Sequence, residues 1–182
     1  QRRLVGGGVI AGAEYEIGTR VNVANSSPMI GSYGVNNEGS RDIYWKGGNM
    51  LQTIRAMLND DVMWRSVLRG IQKEFYHQTV TTAQIENYIS KATGHDLHTF
   101  FNQYLRDIRI PTLEYKVKDS TIRFRYTDIV DGFNMPLRAN IADKRKIWLQ
   151  PTAEWQEVTQ GIPVDYFEVD PNFYIKVKEA KD

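Results

Sequence analysis

Apolar residues recur every three or four positions up to about Pro111, and beyond it they alternate with polar residues or form short runs. The first pattern is typical of amphipathic helices and the second of strands. The sequence therefore predicts an α+β chain, with an antiparallel helical subdomain over residues 1–111 and a small all-β sandwich over residues 112–182. Residues 109–112 form the predicted joint between these two domains.

Start and stop signals place four helices in the first part. One is expected to follow Gly47 and Gly48, and the next begins at the acidic pair after Asn59. A third begins at the capping pattern of Thr81 and Gln84 and ends near Gly94. Asp96 is expected to cap the fourth, which ends before Pro111.

Glycines make the first forty residues harder to interpret. Gly12 and Gly18 weaken helices, so only a short helix around residues 13–23 is predicted, followed by a loop through residues 31–40. The glycine run at residues 6–8 lacks the Lys-Ser/Thr ending of a phosphate-binding loop, and we interpret it as a flexible terminus.

Seven short strands are predicted in the second part, separated by Asp, Asn, Gly and Pro turns. Ile122, Phe124 and Tyr126 alternate with arginines, which indicates one buried and one solvated face. The strands are predicted at residues 113–118, 121–127, 135–141, 146–149, 154–158, 166–169 and 173–178.

Composition narrows the possible functions. The 182 residues include no Cys, which excludes disulfides, thiolate metal sites and cysteine nucleophiles and leaves the compartment undetermined. The net charge of +1 argues against a nucleic-acid partner, and no apolar run reaches the ~18 residues of a membrane span. Because the chain starts at Gln1, we expect it to be a piece of a longer protein.

The three histidines do not predict a metal site. His95 and His98 could face one side of a helix, but hydrolytic zinc usually needs three protein ligands, and the His-Glu-x-x-His pattern is absent. We expect both histidines, and His77, to lie on the surface. No Gly-x-Ser-x-Gly nucleophile motif is present either.

One segment combines two aromatic residues, a lysine and two glycines ahead of an amphipathic pattern: Tyr44, Trp45, Lys46, Gly47 and Gly48. The glycines permit close backbone approach, and Tyr44 is expected just before the helix. A tyrosine hydroxyl there could donate a hydrogen bond to an oxyanion while keeping its own proton. The alternative is that the two aromatic side chains pack and Lys46 is solvated.

These residues resemble the gluzincin zinc aminopeptidases, the family typified by aminopeptidase N and leukotriene hydrolase. Residues 44–51 are similar to the family's Tyr-x-Lys-Gly-small-x-x-Leu element, which opens a helix. The resemblance continues, in the family's order, through residues 79–82, 94–97, 100–105 and 110–113. It covers about residues 31 to 113. Gln84 and Trp45 depart from the residues most common in the family.

The resemblance implies that Tyr44 is the catalytic tyrosine, which stabilises the tetrahedral intermediate of peptide hydrolysis. The family's zinc ligands, its general-base glutamate and the element that binds the substrate amine have no counterpart in this chain. Zinc is therefore expected in a parent protein through ligands outside this chain. The piece itself is expected to hold neither metal nor cofactor and to be inactive alone.

Two functions from different classes follow. The first is the C-terminal portion of a zinc-dependent metallo-aminopeptidase, with a peptide substrate and the upstream catalytic domain of the same chain as partners. An apolar surface normally covered by that domain would then favour self-association of the piece. The alternative is a non-catalytic protein- or glycan-binding module from a degenerate peptidase relative.

Overall fold

The computed structural model describes residues 9–31, 34 and 39–181. The helices in this part are α1 (Val9–Gly18), α2 (Asp42–Leu58), α3 (Asp61–Glu74), α4 (Thr82–Thr93) and α5 (His98–Phe101). A 3-10 turn, Thr19–Asn22, follows α1, and a π-helical turn, Asn102–Arg106, continues α5. None of these helices is long and apolar enough to cross a membrane.

The strands of the described residues form two sheets. They are β1 (Thr112–Lys118), β2 (Thr121–Thr127), β3 (Leu137–Ala142), β4 (Arg145–Leu149), β5 (Gln156–Thr159), β6 (Glu168–Val169) and β7 (Lys176–Glu179). One sheet has the order β5-β2-β1-β7, with β7 parallel to β1, and the other has the order β4-β3-β6. The predicted α+β class is confirmed, and each predicted strand overlaps an observed one. The packing of the two sheets into a small sandwich stays a prediction.

Local signals place the ends of α3 and α4. Asp60 accepts hydrogen bonds from the backbone N–H groups of Val62 and Met63 at the start of α3. Thr81 and Gln84 form the predicted capping box at the start of α4, and Gly94 ends it in the left-handed conformation. These caps provide partners for backbone groups that a helix end would otherwise leave unpaired.

Two helix predictions need correction. Helix α2 begins at Asp42, so Gly47 and Gly48 lie inside it and not before it. A glycine inside a helix lowers the stability of that helix by up to about 1 kcal/mol relative to Ala. The tertiary hydrogen bonds of α2 offset this loss. Helix α1 begins at Val9, four residues earlier than predicted, and changes to a 3-10 turn at Thr19. The glycine run at residues 6–8 lies outside the described residues, as does most of the loop predicted for 31–40.

The helical and strand parts share one apolar core. Its buried side chains come from the helices and from both sheets, including Ile54, Phe101, Leu113, Leu137 and Phe173. The change in sequence pattern at Pro111 coincides with the start of β1 at Thr112. The division into two domains at this point stays a prediction.

Candidate functional site

Tyr44 lies in the first turn of α2, with its backbone N–H bonded to the carbonyl of Arg41. Its side chain is 70% exposed. The predicted position just before the helix is therefore wrong by a few residues, but the alternative of a packed Tyr44 is wrong as well. The phenol faces open space and is not sealed in the apolar core.

Four polar side chains occupy the opposite face of α2. At about 100° of rotation per residue, positions spaced four, three and four apart fall on one stripe. All four are buried, although such stripes are usually apolar. Tyr44 lies about 190° around the helix from the centre of this stripe. We call these four buried residues the polar stripe: Asp42, Lys46, Asn49 and Thr53.

Asp42 fixes the start of the helix. Its carboxylate accepts hydrogen bonds from the backbone N–H groups of Ala24 at 2.9 Å and Asn25 at 2.6 Å. An acidic residue in a first turn also interacts favourably with the helix dipole. These bonds tie the beginning of α2 to the segment that follows the 3-10 turn.

Lys46 is fully buried, so the expectation of a solvated lysine is wrong. Its Nζ donates a hydrogen bond to the backbone carbonyl of Asp107 at 2.8 Å. Burial lowers the pKa of Lys46, and the negative charges of Asp42 and Asp107 oppose that change. Lys46 thus links the first turns of α2 to the end of the π-helical turn.

Asn49 joins α2 to α1. Its amide nitrogen lies within 3.0 Å of the carbonyl of Glu16 and the hydroxyl of Thr19, and its oxygen accepts a 2.6 Å hydrogen bond from Nε of Arg20. Thr53 extends the stripe to the strand part, because its hydroxyl accepts a hydrogen bond from the backbone N–H of Tyr174 at 2.9 Å. The rotation of α2 is therefore fixed by directional contacts from four segments.

The two glycines of α2 have different surroundings. A methyl group at Gly47 would meet no atom of the described residues, whereas one at Gly48 would overlap the carboxylate of Glu16. Gly48 therefore leaves room for the Glu16 carboxylate of α1, whereas the space around Gly47 is open. The polar stripe was missed from the sequence, although the spacing of its four polar residues was visible there.

The other motif residues of the family resemblance support the fold. Phe100, Phe101 and Tyr104 are buried in the core. Gln103 is buried as well, and its side chain donates to the carbonyls of Arg109 and Asp128 at 2.9 and 3.2 Å. These bonds hold the chain where it passes from the helices to β1.

His95 and His98 are exposed, as predicted, and so is His77. Nε2 of His98 lies 3.1 Å from the side-chain amide of Asn102, and the backbone N–H of His98 donates to Asp96. Among residues 9–31, 34 and 39–181 there is no group of three His, Asp or Glu side chains placed to hold a metal ion. The described residues do not fit a zinc centre, since a protein zinc site needs at least three ligands.

A cavity of about 410 Å³ lies at the start of α4, lined by Ile30, residues 81–83 and Arg106. The Arg106 guanidinium donates to both carboxylate oxygens of Glu86, at 2.7 and 3.2 Å. Tyr44 does not line this cavity. The cavity and the exposed phenol are separate features of the helical part.

The proteins that match this chain include two aminopeptidases. Aminopeptidase N of Lactococcus lactis subsp. lactis is 23% identical over 132 residues, which are 72% of this chain and 14% of that protein. The crystal structure of Legionella pneumophila aminopeptidase A in complex with aspartic acid matches with a TM-score of 0.63 at 12% identity. That match covers 95% of this chain and 24% of the Legionella chain.

The chain resembles aminopeptidases in both sequence and fold. No family model matches it. The chain spans about a seventh of the length of its curated relative and about a quarter of the Legionella protein. The helical part and both sheets lie within this similarity, because the structural match covers nearly the whole chain.

Proposed function

We propose that this chain is the C-terminal portion of a zinc-dependent metallo-aminopeptidase that removes N-terminal residues from peptides. The observation that carries the proposal is the exposed phenol of Tyr44, which stands on a helix whose opposite face is fixed by buried hydrogen bonds. The match to aminopeptidase N supports the peptidase class. The gluzincin subclass and the role of Tyr44 rest on the resemblance of residues 44–51.

In this proposal Tyr44 acts as a hydrogen-bond donor. Its hydroxyl would bind the carbonyl oxygen of the scissile peptide bond as negative charge develops there, and so stabilise the tetrahedral intermediate. A donor held in place before the reaction stabilises that charge without having to reorganise. The zinc ligands and the general base would come from the upstream catalytic domain of the parent protein, which would cover the open face of α2.

The test is Tyr44→Phe in the full-length parent protein. Loss of one oxyanion donor costs about 10²–10³ in kcat, and KM should change little because the bond forms chiefly in the transition state. Tyr76→Phe is a matched control, since Tyr76 is 72% exposed and lies beyond the end of α3. An unchanged kcat in Tyr44→Phe would remove Tyr44 from the mechanism.

A second experiment separates this proposal from the non-catalytic module. The isolated chain should hydrolyse no peptide and bind no stoichiometric zinc. The parent should hydrolyse peptides and bind zinc. Zinc binding by the isolated chain, lost on replacing His95 and His98, would contradict the view that the ligands lie elsewhere. A parent that lacks the His-Glu-x-x-His motif would favour the module.

A further inference from the structure

Lys46 is a buried charge that the proposed reaction does not use. It is fully buried, and its Nζ donates a hydrogen bond to a neutral acceptor, the Asp107 carbonyl. Lys46 belongs to none of the ion pairs found between described residues. Burying a charge is costly, and an apolar residue of similar volume is often at least as stabilising. Stability alone is therefore a poor reason for a lysine at this position.

The position of Lys46 offers another reason. It lies two residues after Tyr44, on the opposite face of the same helical turns. Side chains reach roughly 5–6 Å from a helix axis, so a rotation of about 10° moves an outer atom by about 1 Å. A displacement of that size at a reacting group can reduce a rate about 10²-fold. The contacts that fix the rotation of α2 therefore also fix the position of the Tyr44 phenol.

The acceptor of Lys46 is itself well anchored. The turn from Asp107 to Arg109 is held by the side chain of Gln103, which donates to the Arg109 carbonyl. The π-helical turn just before it accepts the backbone N–H groups of Met29 and Ile30 at the carbonyl of Leu105. Lys46 is thus bonded to a segment that is itself held by hydrogen bonds from Gln103, Met29 and Ile30.

We infer that Lys46 is a positioning residue for Tyr44: its hydrogen bond to the Asp107 carbonyl sets the rotation of the first turns of α2 and thereby the place of the phenol. This inference rests on the proposed function, because it concerns the geometry of the same reaction. The contacts of Asp42 and Asn49 hold the two ends of residues 42–49, and Lys46 holds the middle of this segment.

The experiment is a double-mutant cycle in the full-length parent, with Lys46→Met and Tyr44→Phe made singly and together. Met has a similar length and no donor. We expect Lys46→Met to lower kcat about 10- to 100-fold with KM changed less than about threefold. In the Tyr44→Phe background the same substitution should lower kcat less than about twofold, because the group it positions is gone. Lys146→Met, at an exposed position on β4, is the matched control and should leave kcat unchanged.

Each outcome decides between the two ideas. If Tyr44→Phe leaves kcat unchanged, the proposed function fails. If Tyr44→Phe lowers kcat but Lys46→Met does not, or lowers it equally in both backgrounds, only the role of Lys46 is overturned. Should Lys46→Met not fold, Lys46→Arg keeps a charged donor of different reach and completes the cycle by the same criteria.

Discussion

The hydroxyl of Tyr104 donates a 2.6 Å hydrogen bond to the backbone carbonyl of Tyr174, 70 residues further along the chain. Tyr104 belongs to the π-helical turn and Tyr174 precedes β7, so the bond joins the helical part to the strand part. Burial raises the pKa of Tyr104 far above its usual range, which favours the protonated phenol that donates this bond.

We expect Tyr104→Phe to lower the free energy of unfolding by about 1–2 kcal/mol, because it leaves a buried carbonyl without its donor. Urea titrations followed by circular dichroism and by tryptophan fluorescence provide the measurement. The two signals should change together, since the helices and sheets share one core. Two separated transitions would show that the bond and the shared core do not couple the parts.

Phe101→Ala should destabilise the chain by about 3–5 kcal/mol, because Phe101 is 2% exposed and its removal leaves a cavity. Tyr76→Ala removes an exposed aromatic ring and should change the unfolding free energy by less than about 0.5 kcal/mol. Urea titration of each variant measures its free energy of unfolding. A loss below about 1 kcal/mol for Phe101→Ala would contradict its place in the core.

The two glycines of α2 should respond differently to alanine. Gly47→Ala meets open space and should stabilise the isolated chain by about 0.5–1 kcal/mol through helix propensity. Gly48→Ala should gain less, because the Glu16 carboxylate must move aside.

Glu16→Ala provides the control for this pair. In that background the obstructing carboxylate is absent, so Gly48→Ala should gain about as much as Gly47→Ala. Thermal unfolding of the single and double variants measures the difference. Equal gains for both glycines in the unmodified chain would mean that α1 does not restrict Gly48.

Asp170 should make the fold sensitive to acid. Burial raises the pKa of its carboxyl, but hydrogen bonds from Asn172 and from the Arg138 guanidinium outweigh burial, and the pKa lies below the ordinary value. A lowered pKa in the folded state contributes stability above about pH 4, and this contribution is lost as the pH falls through the folded value.

Asp170→Asn should therefore cost about 2 kcal/mol near neutral pH and progressively less below about pH 4. Urea unfolding at a series of pH values measures this difference. Asp143→Asn, at an exposed position, is the control and should change the unfolding free energy by less than about 0.5 kcal/mol. A constant cost for Asp170→Asn down to pH 2 would show that its charge is not the stabilising feature.

The isolated chain is expected to self-associate through the helical surface. Tyr44, Leu51, Val62 and Leu68 are exposed apolar side chains on α2 and α3. Sedimentation velocity at increasing concentration should show growth of a larger species, and Val62→Lys should weaken it. A monomer at every concentration would contradict this expectation.

Local signals predicted much of the architecture. The capping box at Thr81, the left-handed cap at Gly94 and the alternation in β2 each act within a few residues, so the sequence alone placed α4 and β2 closely. The start of α2 was predicted too late because the glycines at 47 and 48 argue against a helix locally. Hydrogen bonds from residues 24 and 25 to Asp42 outweigh that local preference.

By itself, the sequence determined the α+β class and the order of the elements, because periodicity and capping are properties of nearby residues. Tyr44 became the candidate site residue through the resemblance of residues 44–51. Only the tertiary structure decided that Lys46 is buried and that the phenol is exposed. The polar stripe of α2 has hydrogen-bond partners as far as 121 residues away in the chain. Whether a polar side chain is solvated or buried depends on such distant partners, since only they can replace the hydrogen bonds of water.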